Sequence, residues 1–181
     1  MHETQTTARW QRAQACIGRG VDTIDTPSLV IDLDAMERNL ARMAAFAHEH
    51  GVRLRPHAKM HKSAELAQLQ MHHGAVGVCV QKTDEALALA HAGVRDIYIS
   101  NEVIAPAKLL RLAQAVRDLP TKFSIAVDSA LGVARLAQAL QTAGVGAPRS
   151  VDVLVEIDVG QGRCGVAPGD PAVALVQAIA T

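Results

Sequence analysis

Aromatic residues, cysteine pairs and an excess of charge of either sign are what this 181-residue chain lacks. Aromatics make up only 2% of it, so alanine, valine and leucine must build most of the core, as in helices packed on a buried sheet. The three cysteines stand far apart without a CxxC pair, which argues against a disulfide framework and a structural zinc site. Lysine plus arginine number 18, as do aspartate plus glutamate, so the chain lacks the positive charge that attracts nucleic acid.

Long hydrophobic runs are also missing. No run reaches the roughly 18 apolar residues that a membrane-spanning helix needs. The arginines near the N-terminus are not followed by the apolar segment of an export signal. We therefore expect a globular, cytoplasmic protein that binds neither membranes nor nucleic acids.

Short runs rich in valine and isoleucine alternate with helix-like segments along the chain. Their lack of polar alternation predicts strands that are buried on both faces. The predicted strands are residues 28–32, 52–57, 76–80, 96–100, 122–127 and 151–159. Asp34 with Glu37 resembles a capping box at the start of the first helix, which Gly51 ends.

Repeated strand–helix units predict an α/β fold with parallel strands and right-handed crossovers. Both a doubly wound sheet and a (β/α)8 barrel are built in this way. A complete barrel takes about 250 residues, so the chain is either the first part of a barrel or a smaller open sheet.

The densest polar cluster, residues 55–62 (RPHAKMHK), begins at the end of a predicted strand. Strand alternation places Arg55, His57 and Lys59 on one face, and active sites of α/β folds collect at the carboxyl ends of strands. Neighbouring cations would disfavour the ammonium form of Lys59 and free a nucleophilic amine for a Schiff base. The alternative is that Lys59 and Lys62 are ordinary solvated residues at a helix start.

Other polar residues near strand ends are weaker signals. His57 and His61 have the i,i+4 spacing of a metal-binding pair, but no carboxylate ligand stands nearby, so we expect no metal there. Further polar residues end the third and fourth strands: Gln81, Lys82, Asn101 and Glu102. They either line a site or cap the next helix, and capping is the more common role.

A second cluster, residues 156–165 (EIDVGQGRCG), contains a GxGxxG match after a strand. Dinucleotide binding is not expected, because prolines delay the next helix and an acidic ribose ligand about 20 residues on would fall beyond residue 181. A glycine-rich loop that lets backbone approach a ligand, with Arg163 presenting its planar fork to an oxyanion, fits better. Pairing of Arg163 with Asp158 or Glu156 alone is the structural alternative.

Taken together, these motifs resemble the D-threonine aldolase family, pyridoxal-phosphate enzymes of the alanine-racemase-like fold type. The resemblance covers nearly all residues from 25 to 181. The matching segments, in chain order, are residues 25–30 (DTPSLV), 55–59 with His61 and Lys62, Gln81 with Lys82, 100–103 (SNEV) and 155–165.

The resemblance implies pyridoxal 5'-phosphate as cofactor and Lys59 as the catalytic Schiff-base lysine. It implies that Gln81 and His57 contact the cofactor, and that Arg163 binds the cofactor ring or the substrate carboxylate. The implied reaction is retro-aldol cleavage of a small-molecule D-β-hydroxy-α-amino acid to glycine and an aldehyde. D-serine dehydratases and 3-hydroxyaspartate aldolases carry similar motifs, so their reactions are alternatives, as is a non-catalytic remnant that only binds the cofactor.

The resemblance also implies how the chain is divided. Residues 1–24 would form an N-terminal arm, residues 25–50 a strand of a separate β-domain plus the first helix, and residues 51–181 about five of the eight strands of a cofactor-binding barrel. Family members are roughly twice this length, with the barrel size as a lower limit. Their phosphate cup and divalent-metal ligands would lie outside these residues, so we expect no metal site here and little or no activity from the 181 residues alone. A homodimer is expected of the full-length family.

Overall fold

The computed structural model describes residues 11–180, so the first ten residues of the predicted arm lie outside the described part. The chain forms two compact units, residues 1–40 and residues 41–181. The predicted divisions at residues 24 and 50 stay predictions.

In the first unit, the predicted strand at residues 28–32 is wrong. These residues have no regular secondary structure, and no strand pairs with them among the described residues. Leu29, Val30 and Ile31 are exposed. The reason is that a run of apolar residues becomes a strand only where a neighbouring strand accepts its hydrogen bonds.

The first helix, α1, spans Leu33–Glu49 and therefore begins before Asp34, the residue predicted to cap it. The carboxylate of Asp32 accepts a hydrogen bond from the Ala35 backbone N–H at 2.9 Å. Asp32 is therefore the residue that caps the helix, while Asp34 lies in its first turn.

In the second unit, strands and helices alternate as predicted. The strands are β1 (Val78–Val80), β2 (Asp96–Ile99), β3 (Lys122–Val127) and β4 (Val151–Val155). The helices are α2 (Ala64–His72), α3 (Thr83–His91), α4 (Pro106–Asp118), α5 (Ala130–Thr142) and α6 (Asp170–Ala180). None of the helices in the described part is long and apolar enough to cross a membrane.

The four strands form one parallel sheet in the order β1-β2-β3-β4. The prediction of five barrel strands is one too many, because residues 52–57 make only a single bridge, between His57 and Cys79. Even so, this segment runs along β1: the Cys79 N–H donates to the Pro56 carbonyl at 2.8 Å, and the Ala58 N–H to the Cys79 carbonyl at 2.7 Å. Pro56 has no N–H to donate, which interrupts the ladder.

The sheet has one apolar and one polar face. On the apolar face, Ile97, Phe123 and Ile125 are fully buried in the main core, together with leucines of the helices. On the polar face, Arg55 pairs with Asp96 and Lys122 with Asp152, both at 2.8 Å. Arg55, Lys122 and Asp152 line an open cavity of about 560 Å³. Such a division matches the inside and outside of a (β/α) barrel wall.

Candidate active site

The carboxyl ends of the strands bring the predicted cofactor residues of the first cluster together. The backbone bonds of residues 56–58 to Cys79 fix the register of the RPHAK segment against β1. His57 therefore lies beside the end of β1, where Gln81 follows two residues after the bridge partner Cys79. Lys59 lies in the turn that comes next and is exposed.

His57 lies between Lys59 and Gln81. Its Nδ1 accepts a hydrogen bond from the Lys59 backbone N–H at 3.3 Å. Partial burial, and then the nearby Lys59 ammonium, lower the pKa of His57, against the opposing effect of its hydrogen bond with the Gln81 side chain. A neutral ring at pH 7, with Nδ1 as acceptor, carries its proton on Nε2.

The two lysines of this cluster differ in their partners. The Lys62 ammonium lies 3.5 Å from a carboxylate oxygen of Glu85, and Glu85 also accepts the backbone N–H groups of Gln81 and Lys82. Within residues 11–180, no carboxylate lies within 4.0 Å of the Lys59 ammonium. Lys59 is thus the amine of the pair that a carbonyl compound can reach without breaking an ion pair.

The glycine-rich loop after β4 folds around a carboxylate of its own chain. Asp158 accepts the backbone N–H groups of Gly160 at 2.9 Å and Gly162 at 3.0 Å, and these hydrogen bonds lower the pKa of Asp158. Gly165 has φ +96°, and a Cβ there would lie 2.6 Å from the Asp158 backbone nitrogen. The loop therefore needs glycine to turn back on itself, and the two amides bound to Asp158 are occupied.

Arg163 projects from this loop as an exposed side chain. The Cys164 side chain is its hydrogen-bonding neighbour, and the carboxylates of Glu156 and Glu102 are close enough to raise the pKa of the guanidinium further. None of the interactions described for Arg163 within residues 11–180 involves Lys59. Arg163 thus lies near acidic residues that follow β2 and β4, and none of its described interactions is with the lysine cluster.

Three further side chains form a group that the sequence did not predict. One carboxylate oxygen of Glu102, one of Glu156 and the Sγ of Cys164 all lie within 4.8 Å of one another. Glu102 follows β2 and Glu156 follows β4, and the Cys164 thiol donates to Glu156 Oε1 at 2.9 Å. The signal available in the sequence was that Glu102 follows a predicted strand and that Glu156 lies near the end of another. The return of the loop, which brings Cys164 back to β4, carries no such signal.

Comparison with known proteins identifies the family. The family described as "Alanine racemase, N-terminal domain" matches residues 31–181, most of the chain. The chain belongs to this family. The α/β fold of the alanine racemase N-terminal type and the recognition from the motifs are thereby confirmed.

Two characterised relatives share substantial sequence with this alanine racemase N-terminal domain. A D-threonine aldolase of Arthrobacter sp is 51% identical over 154 residues, which are 85% of this chain and 39% of the relative. A 3-hydroxy-D-aspartate aldolase of Paracoccus denitrificans is 42% identical over 164 residues, 90% of this chain and 41% of the relative. The chain therefore spans about two fifths of the relatives it matches.

A solved structure of an aldolase has a similar fold. D-threonine aldolase from Filomicrobium marinum superimposes with a TM-score of 0.82 at 48% identity, over 89% of this chain and 42% of that one. The polar inner face of the sheet and the carboxyl-end clusters therefore lie on a fold shared with an aldolase.

Proposed function

We propose that this chain is the cofactor-binding part of a pyridoxal-phosphate-dependent lyase that cleaves D-β-hydroxy-α-amino acids to glycine and an aldehyde. The observation that carries the proposal is Lys59: an exposed amine without a carboxylate partner among the described residues, at the carboxyl end of the strands, where α/β enzymes place their sites. Relatives that share this sequence include an enzyme named for D-threonine.

The residues of the first cluster fit an aldehyde cofactor. Lys59 offers the amine that would hold it covalently. His57, kept neutral and bound to the Lys59 backbone, orients the turn that carries this amine, and the Gln81 side chain is hydrogen-bonded to the His57 ring. The cofactor, when bound, supplies an electron sink for breaking the Cα–Cβ bond.

The glycine-rich loop contributes a side chain and not a phosphate cradle. Two of its amides are already bound by Asp158, so the loop offers a ligand chiefly the Arg163 guanidinium. Arg163 would bind the cofactor ring or a substrate carboxylate through its planar fork. A phosphate grip and a divalent-metal site are proposed to lie in the part of the relatives that this chain does not match.

Cleavage of 3-hydroxyaspartate, or its dehydration, is the second candidate. Support for it comes from the aldolase at 42% identity and from a D-threo-3-hydroxyaspartate dehydratase of Delftia sp. that is 38% identical over 148 residues. A non-catalytic, cofactor-binding remnant is the third. We also propose a cytoplasmic location, a small-molecule substrate and a homodimer for the full-length protein.

Borohydride reduction of the chain with pyridoxal phosphate, followed by peptide mapping, tests the assignment of Lys59. We expect the label on Lys59, its loss in Lys59→Ala, and its retention in the matched variant Lys62→Arg, which keeps the charge that faces Glu85. Label on Lys62, or on no lysine, contradicts the proposal.

Turnover separates the enzyme from the remnant. We expect the 181 residues alone to cleave D-threonine slowly or not at all, and a longer chain that continues through the part matched by the relatives to cleave it. Labelling of Lys59 without turnover in the longer chain would favour the remnant.

A further inference from the structure

The carboxyl groups of Glu102 and Glu156 face each other across the carboxyl end of the sheet. They come from β2 and β4, so the chain has brought two acidic side chains together over the end of the strand between them. Two carboxylates this close repel each other strongly unless a cation or a proton lies between them. Closeness of acidic groups does not by itself make a cation site. The hydrogen bonds around the two carboxyl groups are needed to assign their roles.

The hydrogen bonds assign different roles to the two groups. Glu156 is the acceptor, since the Cys164 thiol donates to its Oε1 at 2.9 Å and the Glu102 side chain is its other partner. Glu102 Oε1 is buried and has no hydrogen-bond partner among the described residues. A buried carboxylate oxygen without a donor is costly, whereas the carbonyl oxygen of a neutral acid is much less so.

From this geometry, we propose that Glu102 and Glu156 share one proton at neutral pH, with Glu102 as the acid and Glu156 as the carboxylate. The pair then holds a single negative charge opposite Arg163. It also places a neutral proton donor on the rim of a pocket of about 180 Å³ that Gln81, Asn101 and Lys108 help to line. The inference rests on this cluster alone and holds whether or not Lys59 binds a cofactor.

The surrounding charges support this assignment. Partial burial, the hydrogen bond to Glu156 and the negative charges of Glu156 and Asp128 raise the pKa of Glu102 to about 7. Hydrogen bonds from Glu102 and Cys164 lower the pKa of Glu156, while the bond to Glu156 raises the pKa of the Cys164 thiol and keeps it a donor. The other groups that face the pair are Arg163 and Tyr98, with Lys82 and Lys108 on the pocket wall.

A pH titration of the 181-residue chain labelled with ¹³C at the glutamate carboxyls tests the proposal. We expect one carboxyl to titrate near pH 7, and its signal to vanish in Glu102→Gln, whose amide still donates to Glu156. In Glu156→Gln the same titration should move to lower pH, because the facing negative charge is gone. The matched control Glu49→Gln, an exposed residue at the end of α1, should leave it in place.

Stability gives a second readout. A Glu102 pKa raised above the value of 4.5 for an ordinary glutamate means that the folded chain binds a proton more tightly than the unfolded one. The stability it contributes is fully present below pH 4.5 and is lost as the pH rises to about 7. The midpoint of urea unfolding of Glu102→Gln relative to the unmutated chain should therefore rise across this window and level off above it.

Three results would overturn the proposal. They are the absence of a carboxyl titrating near pH 7, its persistence in Glu102→Gln, and its disappearance when Mg²⁺, Mn²⁺ or Zn²⁺ is added to chelator-treated protein. The last would mean that a cation, and not a proton, lies between the two carboxylates. If Glu102→Gln fails to fold, the shift expected in Glu156→Gln decides alone.

Discussion

At the scale of single residues, Gly77 is a position where the structure has no room for a side chain. It is buried just before β1, and a Cβ there would lie 2.6 Å from the Asp96 carbonyl oxygen and even closer to the Arg55 guanidinium. A methyl group would push apart the Arg55–Asp96 ion pair and the backbone of β2. We expect Gly77→Ala to lower the free energy of unfolding by about 1–3 kcal/mol, the usual range for overpacking.

Urea denaturation measures this change. Gly146→Ala is the matched control, since a Cβ at Gly146 meets nothing within 4 Å, and substitutions of that kind change stability by less than about 0.5 kcal/mol. Equal stability of the two variants would show that the ion pair on the polar face is not held against this backbone.

At the scale of elements, the start of α3 depends on Glu85. Burial by itself would raise the pKa of Glu85, but hydrogen bonds from the Gln81 and Lys82 backbones, together with Lys62, outweigh it and lower the pKa. A lowered pKa contributes stability above the ordinary value of 4.5 and loses it as the pH falls through the folded-state value. We expect Glu85→Gln to cost about 1 kcal/mol at pH 7, in the range of helix caps, and the loss to shrink as the pH falls below 4.5.

Unfolding curves of the unmutated chain and Glu85→Gln at pH 7 and pH 3.5 check this. Glu65→Gln serves as control, because Glu65 also lies in the first turn of a helix but is exposed and, among the described side chains, accepts a hydrogen bond from the Ser63 hydroxyl. A loss at pH 7 no larger than that of the control would contradict the capping role of Glu85.

The strands predicted at residues 96–100 and 122–127 are found as β2 and β3, each of which has a neighbouring strand on both sides. Residues 28–32 have a similar apolar run without a partner strand, and local pattern carries no information about partners. Of the candidate site, the contact of His57 with Lys59 and Gln81 follows from strand register. The Glu102–Glu156 pair does not, because it depends on the order of strands across the sheet.

At the scale of the whole molecule, the sheet ends in an exposed edge. Among the described strands, β4 pairs only with β3, so its other edge presents unpaired backbone groups. With a formal net charge of zero, no overall repulsion opposes association. We expect the 181-residue chain to self-associate with rising concentration, and Leu154→Lys on β4 to reduce this.

Sedimentation velocity over a range of concentrations measures the association. Val173→Lys on α6 adds the same charge at a similarly exposed apolar position that is not part of a strand, and it should change the association less. A chain that stays monomeric at every concentration would show that the open edge does not pair.

The Asp158 carboxylate affects how the glycine-rich loop could bind a ligand. Because the Asp158 carboxylate already accepts hydrogen bonds from the Gly160 and Gly162 amides after β4, the conformation of the loop is fixed before a ligand binds. A ligand would contact a preformed surface and the exposed guanidinium of Arg163. Recognition there would depend on the charge and planarity of the ligand and not on hydrogen bonds from the loop backbone.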